Sequence, residues 1–556
     1  MNQAHPTTNT PVTSERVSKL RASAALTSPA SSSLTFWRAW PWWFVPAMAG
    51  LLLVLYFVDP FIGDWDGMDY TMLSLAGYPS SMALGRNLFI FENYALYQIA
   101  HAIFNVQPEH AYLVFKYAVV AQAPLAVIAA WVLARDFSRS IYTATFAALF
   151  LVFSPVFVLY GGQVMTDVPS VLLLCVALIV HYRGVQQERV WLVLLGAALL
   201  GLGVNLRETI GFYAPWLIVA PFFLGWKFRR RQILIVALSC LIFFVCAAGF
   251  FAFWFITDEH YRGVWFGWRE SLRQETARHP VTMHNLRPYF VYFFVTAPLV
   301  LVSLPFALWD ALRNALWTEG RQRKFLPLLL LAAMGLLADL MLFLNYSTTV
   351  NWRYFLTGLP AIAPLSANFL LLVLTRRFHS ARLAFATCIA AVLMLAFIFT
   401  LLIQPASQQF IARRAMSKEY RHQLAKLPRD AVMIAGSQTI AVTYWKAIGA
   451  GDWKTIGTGG GWPGEDLVPL IENHLKENRR VFLDADSRWW LPCGWQRDEI
   501  PAIVGLQERF SFRRVTDTIY EIRPRGEPGA TDSPNLERLL PENRPEDTKK
   551  CPSISS

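Results

Sequence analysis

About eleven apolar runs, most of them near the ~20 residues that cross a hydrocarbon layer, limit what this chain can become. They are Trp42–Val58, Ala111–Ala134, Ile141–Tyr160, Val168–Tyr182, Val190–Asn205, Gly211–Gly225, Gln232–Ile256, Tyr289–Trp309, Phe325–Leu344, Tyr354–Leu374 and Leu383–Ile403. So much continuous apolar surface cannot be buried in one soluble core. The fold class expected is an all-α polytopic membrane protein with a small C-terminal α/β domain. Composition agrees: 55% of the 556 residues are hydrophobic and 16% charged, and the 21 Trp suit interfacial belts.

The short polar links between the runs set orientation. Alternate links carry Arg135 and Arg139, Arg183 and Arg189, Lys227 with Arg229–Arg231, Arg313 with Arg321–Lys324, and Arg376, Arg377 and Arg382. With the N-terminal tail they hold roughly nineteen Lys and Arg, against about eight in the opposite links. The positive-inside rule therefore predicts a cytoplasmic N-terminus. An odd number of spans then puts the C-terminal region on the outer side. The first run begins near Trp42 with no cleavage site ahead of it and reads as an uncleaved start-transfer helix.

Residues 1–41 read as a disordered cytoplasmic tail and 42–404 as the transmembrane domain. After Pro405 the composition changes. Leu427–Gly436, Arg480–Asp484 and Thr518–Ile522 read as strands, and Glu465–Asn478 as an amphipathic helix with Leu467, Leu470, Ile471 and Leu475 on one face. Residues 405–525 are expected to form the extracytoplasmic α/β domain, and 526–556 a second disordered tail.

A net charge of +12 raises the question of nucleic acid, but the basic residues lie in orienting clusters, without a basic face bearing aromatics. Among six cysteines there is no CxxC or Cys/His metal spacing. Cys175, Cys240, Cys246 and Cys388 sit in apolar runs as small core residues, and a Cys493–Cys551 bridge has no support.

Three stretches could carry chemistry. The first, Asp59–Glu92, places Asp59, Asp64, Asp66, Asp69 and Glu92 in one expected outer loop. Ionisable groups at a membrane protein's mouth cost desolvation energy and are functional candidates. Clustered carboxylates suit a general base or a divalent-metal site, and equally a solvated loop with acidic caps. In the second, Thr166-Asp167-Val168-Pro169, Asp167 opens a span on the same side; it is either a helix cap or part of the site. In the third, Arg353 opens the tenth span beside Trp352 and Tyr354, where a planar guanidinium can hold a phosphate or snorkel at the interface. Arg207-Glu208 offers the same choice, or an ion pair. The expected outer loop Thr257–Pro288, with His260, Arg262, Arg269, Arg273, Arg278, His279, His284 and Arg287, breaks the charge trend, as either a lipid phosphate or ordinary anionic head groups would explain. Two weaker patterns are Asp484-Ala-Asp486 at a strand end and a Gly-rich stretch from Gly457 that lacks the P-loop ending.

Over Trp42–Leu374 the order and common sidedness of these features resembles the GT-C superfamily of membrane glycosyltransferases, in the branch of protein O-mannosyltransferases and lipid A aminoarabinose transferases. Asp66-Gly67-Met68-Asp69-Tyr70 stands where that branch has D-E-x-x-Y, with Gly67 in place of the usual Glu. Asp167 matches its second Asp, and Arg353-Tyr354 followed by Pro360 and Pro364 its late R-Y helix.

The resemblance implies inverting transfer of a hexosyl or pentosyl group from a polyprenyl-phosphate-linked donor to a lipid, glycan or protein acceptor on the outer side. Asp66 and Asp167 would be catalytic, with Asp66 as base. Asp64, Asp69, Tyr70, Glu92, Arg207, His279, Arg353 and Tyr354 would bind substrate. A divalent metal ion, held by Asp66 and Asp167 if at all, is a further expectation. A bacterial inner membrane facing the periplasm is the expected location. The alternatives are a lipid-linked sugar flippase and a polysaccharide ligase or polymerase.

Overall fold

The computed structural model describes residues 39–59, 61–62, 64–80, 85–224, 226, 229–278, 286–317, 325–345, 352–376, 381–456, 467–490, 499–526 and 534–544. His279, His284, Cys493, Cys551 and the Gly-rich stretch from Gly457 lie outside them.

The described chain is mostly helical. The first half comprises α1 (Trp40–Phe57), α2 (Trp65–Ala76), α3 (Asn87–Phe104), α4 (Ala111–Ser138), α5 (Ile141–Val152), α6 (Pro155–Gly161), α7 (Asp167–Gln186), α8 (Val190–Val204), α9 (Trp216–Phe223) and α10 (Arg230–Thr257). It continues with α11 (Glu259–Arg278), α12 (Leu286–Thr296), α13 (Pro298–Trp317), α14 (Leu326–Asn345), α15 (Leu359–Arg376) and the 44-residue α16 (Ala381–Leu424). Six helices among the described residues are long and apolar enough to cross a membrane, or eight if each of two bent pairs is one span.

The differences from the eleven expected runs have local causes. The third run breaks into α5 and α6, bent by 63°. Ser154 accepts a hydrogen bond from the Phe157 N–H at 3.4 Å, and Pro155 takes the first position of the new helix, where its missing N–H costs nothing. The eighth run breaks by 106° between α12 and α13, at Pro298. A residue before proline is driven out of helical geometry. The expected span Gly211–Gly225 is instead a 3-10 turn, Glu208–Tyr213, followed by the eight-residue α9. A second 3-10 turn, Trp352–Leu356, precedes α15. The expected outer loop Thr257–Pro288 is helical over α11, not a loop.

Helices approach closely where small residues face them. A side chain on Gly196 of α8 would collide with the backbone of His181 on α7. Asn205, at the end of α8, donates to the Cys246 carbonyl of α10 at 2.9 Å.

The helix α16 does not stop at Pro405 but runs on to Leu424. Beyond it, β1 (Val432–Ile434), α17 (Thr439–Ala447), β2 (Lys454–Ile456), α18 (Leu467–Lys476), β3 (Val481–Asp484), α19 (Ile500–Arg509), β4 (Phe510–Arg514) and β5 (Ile519–Pro524) form one unit. Its sheet has the order β2-β1-β3-β5-β4. The first three strands are parallel, with Val432 opposite Val481, and β5 joins antiparallel, with Leu483 opposite Tyr520. The three expected strands and the amphipathic helix are present; β2, β4, α17 and α19 are additions. Ile434, Ile471, Leu483, Ile503 and Ile522 are fully or almost fully buried in its core.

This unit lies against the stretch that follows α1. The Phe61 and Trp445 rings are 6.0 Å apart, and Gln423 of α16 accepts from the Thr518 hydroxyl at 2.8 Å. The first inter-span stretch and the C-terminal unit therefore share one face of the molecule, whatever the total number of crossings.

Candidate active site

The acidic stretch after α1 is held by a cation from inside the helical layer. Lys116 of α4 is fully buried and donates to the Asp59 carbonyl and, at 3.1 Å, to the Phe61 carbonyl. The chain then turns into α2. Asp64 caps that helix, its Oδ1 accepting from the Asp66 N–H at 3.0 Å. The far end closes at Gly77, whose φ of +61° is left-handed and suits glycine. Asp66 and Asp69 thus project from the first turns of a short helix rather than from the expected loop.

Arg353 comes from the 3-10 turn before α15 and ion-pairs with Asp66. The Arg353 guanidinium also reaches the Met165 sulfur at 3.2 Å and sits 5.8 Å from the Tyr160 ring centre and 5.5 Å from that of Tyr354. The Tyr160 hydroxyl accepts from the Trp352 indole N–H at 3.0 Å. Behind this pair lies a second. Asp167, fully buried, ion-pairs with Arg207, whose side chain is 2% exposed and stacks 4.8 Å from the Tyr354 ring. The capping alternative for Asp167 falls: it is the first residue of α7, the cap position is Thr166, and the Asp167 carboxylate is turned to Arg207.

A third guanidinium, Arg86, is buried 5.7 Å from the Tyr70 ring and 3.8 Å from Glu208. Its backbone is left-handed, with φ of +79°, an uncommon conformation for a side chain of this size and one found at functional sites. Glu92 has a different partner: it accepts from Gln122 of α4 at 2.8 Å.

The fold thus gathers Asp64, Asp66, Asp69, Tyr70, Asp167, Arg207, Arg353 and Tyr354 at one site and adds Arg86, Lys116, Tyr160 and Arg413, which the sequence reading did not select. For Lys116 a signal existed, since a lone cation inside an apolar run demands a partner.

Electrostatics separates Asp64, Asp66 and Asp69. Burial raises Asp66, but Arg353, then Arg86 and Arg207, outweigh it and hold the carboxyl below the ordinary range. Burial and the Asp66 charge raise Asp64, against Arg413 and Arg353. Asp69 is pushed up to about 7, by burial first and the Asp66 charge second, with Arg86 opposing. A carboxyl raised in the fold stabilises it most at low pH, below its unfolded value near 4, and the contribution is lost as pH rises through 7. Asp69→Asn is therefore expected to melt higher than the parent at pH 8 and no higher at pH 4. A melting curve in detergent at the two pH values checks this; an equal shift at both would show that folding does not raise the Asp69 carboxyl.

The donor set does not fit a divalent ion as arranged. Asp66 and Asp167 are each turned to a guanidinium, and no group of three His, Cys, Asp or Glu among the described residues is placed to hold a metal.

A family model described as dolichyl-phosphate-mannose-protein mannosyltransferase matches residues 93–254. Curated protein sequences give no significant match. Among solved structures, the chain is similar to ArnT from Cupriavidus metallidurans bound to undecaprenyl phosphate, at TM-score 0.52 and 13% identity over 87% of this chain and 98% of that one. It is similar to the archaeal oligosaccharyltransferase AglB of Archaeoglobus fulgidus, in complex with an inhibitory peptide and a dolichol-phosphate, at TM-score 0.52 and 13% identity over 91% and 77% of the two chains. The apo oligosaccharyltransferase from the same organism aligns at TM-score 0.51 and 14% identity over 82% and 70%. The multi-pass helical layer and these alignments agree: the chain shares the fold of ArnT and of the archaeal oligosaccharyltransferase, membrane proteins of GT-C architecture, and the family model covers residues 93–254 of it.

Proposed function

We propose that the protein transfers a hexosyl or pentosyl group from a polyprenyl-phosphate-linked donor to a lipid, glycan or protein hydroxyl, on the membrane face shared by α2 and the C-terminal α/β unit. The observation that carries this reading is the contact between Asp66 and Arg353. It sets a carboxylate and a guanidinium side by side in a partly buried site, within a fold whose solved relatives hold undecaprenyl phosphate and dolichol-phosphate.

The donor phosphate competes with Asp66 for Arg353. Once the guanidinium turns to the phosphate, the Asp66 carboxylate loses its counter-charge and becomes a stronger base. It takes the proton of the acceptor hydroxyl as that oxygen attacks the anomeric carbon. The bond from the anomeric carbon to phosphate oxygen breaks, and its electron pair leaves with the lipid phosphate. Arg353, with help from Arg207, stabilises that developing charge, where a preorganised cation contributes most. Asp167 keeps Arg207 in place. Asp64, Asp69, Tyr70 and Tyr354 line the substrate side, and Glu92, bound to Gln122 of α4, is given no role there. No step is assigned to a metal ion. The helical part from residue 42 onward is the transmembrane domain, and the α/β unit that follows α16 lies on the periplasmic face of a bacterial inner membrane, with a cytoplasmic N-terminus.

The test is transfer from a radiolabelled polyprenyl-phosphate sugar by purified protein with an extract of candidate acceptors. Label reaching an acceptor supports the proposal. Label crossing a proteoliposome membrane without transfer would replace it with flipping.

A further inference from the structure

The outer part of α16 runs alongside the acidic stretch. Phe410 meets Tyr160 edge-on at 5.3 Å, Arg413 donates to Asp64 Oδ2 at 2.9 Å, and Arg414 reaches Asp59 Oδ1 at 3.4 Å. One turn on, Lys418 lies 5.3 Å from the Phe61 ring centre.

The two oxygens of Asp64 have separate duties. Oδ1 accepts from the backbone N–H of Asp66, and Oδ2 accepts from Arg413. One carboxylate thus ties α16 to the first turn of α2, and the N–H it caps belongs to the residue whose own carboxylate meets Arg353. We infer that Arg413 is a positioning residue for the transfer: acting through Asp64, it fixes the first turn of α2 and hence the reach of the Asp66 carboxylate. The inference rests on the assignment of Asp66 as base given above.

Magnitudes separate this role from plain stabilisation. The Arg413 side chain is 48% exposed and that of Asp64 12%, so the pair adds little to folding, roughly 0–1 kcal/mol. A misplacement of about 1 Å in a reacting group, by contrast, can cost on the order of 10²-fold in rate. Without Arg413, burial and the Asp66 charge would drive Asp64 toward protonation. The cap on Asp66 would then weaken.

The experiment compares full-length Arg413→Ala, Arg413→Lys and Arg414→Ala, the last removing the same charge one residue along α16. Transfer kinetics, melting in detergent and hydrogen exchange over residues 65–69 are measured on each. For Arg413→Ala, kcat is expected to fall about 10- to 100-fold with donor KM within about twofold of the parent. Its melting temperature should move little, and exchange should quicken in the first turn of α2. Arg413→Lys should restore a large part of the rate, and Arg414→Ala should leave the exchange unchanged. Unchanged kcat in Arg413→Ala, a rise in KM alone, or a rate loss that only follows a melting loss would overturn the inference. If Asp66→Asn run in parallel keeps its activity, the base assignment fails, and exchange alone judges Arg413: unchanged exchange then refutes it and quickened exchange upholds its hold on α2.

Discussion

Asp66→Asn is expected to lose about 10²- to 10⁴-fold in kcat while binding the donor more tightly, not less. The two effects arise from one contact. A general base contributes that range of rate, and an amide of the same shape cannot take the proton. The same carboxylate occupies Arg353, the cation assigned to the donor phosphate. An amide oxygen is a weaker partner for a guanidinium, so the phosphate meets less competition. A charge-assisted hydrogen bond contributes about 1.5–3 kcal/mol, and a gain of about tenfold in donor affinity lies within that scale. Measuring kcat and donor Kd on the same preparation separates the cases. A fall in both would mean that Asp66 holds the donor rather than competing with it. Retained kcat would move the base to Asp64 or Asp69, with Asp69, raised to about 7, the one better matched to a base working near neutrality.

The parts of the fold that were legible in the sequence are those set by local composition. Apolar runs such as Gln232–Ile256 became helices with ends within a few residues of the reading, because length and hydrophobicity alone decide a lipid-facing helix. The strands near Val432, Val481 and Ile519 were legible for a similar reason, as short apolar segments between turns. The reading failed where a few residues act against composition. Ser154-Pro155 and Pro298 divide runs that are apolar throughout, and Glu208 to Leu224 folds into a turn and a short helix although it is nearly as apolar as its neighbours. At Pro405 the change in composition was real but did not end a helix, since α16 continues as a polar, basic arm.

The site was legible as a list of ionisable residues and illegible as pairs. Asp66 and Arg353 are 287 positions apart, Asp64 and Arg413 are 349 apart, and only packing of the helices chooses these partners. Arg86 gave no signal, because its importance comes from a left-handed backbone that places it over Tyr70. Lys116 could have been found, as a cation within an apolar run, but its partners are backbone carbonyls without a sequence signature.

The inner pair, Asp167 with Arg207, is expected to show its largest effect in stability. Its two side chains are 0% and 2% exposed, so neither charge can fall back on water if its partner is removed. Breaking a buried ion pair from one side costs about 3–5 kcal/mol, chiefly the penalty of an uncompensated buried charge. Arg207→Met and Asp167→Leu are each expected to reduce folded yield and melting temperature sharply. Combined in one chain, they should recover much of both, because replacing a buried pair by apolar groups of similar volume is often neutral or better. Transfer activity should not recover fully with the fold, since the double variant lacks Arg207, the cation that assists Arg353 at the leaving phosphate. Thermal melts and transfer assays on the three variants test both halves. Equal melting losses that add in the double variant would show that the two charges are stabilised independently, by the surrounding field of Arg353 and Glu208 rather than by each other. Recovery of activity together with the fold would confine the pair to architecture and leave Arg353 and Arg86 as the cations that meet the donor.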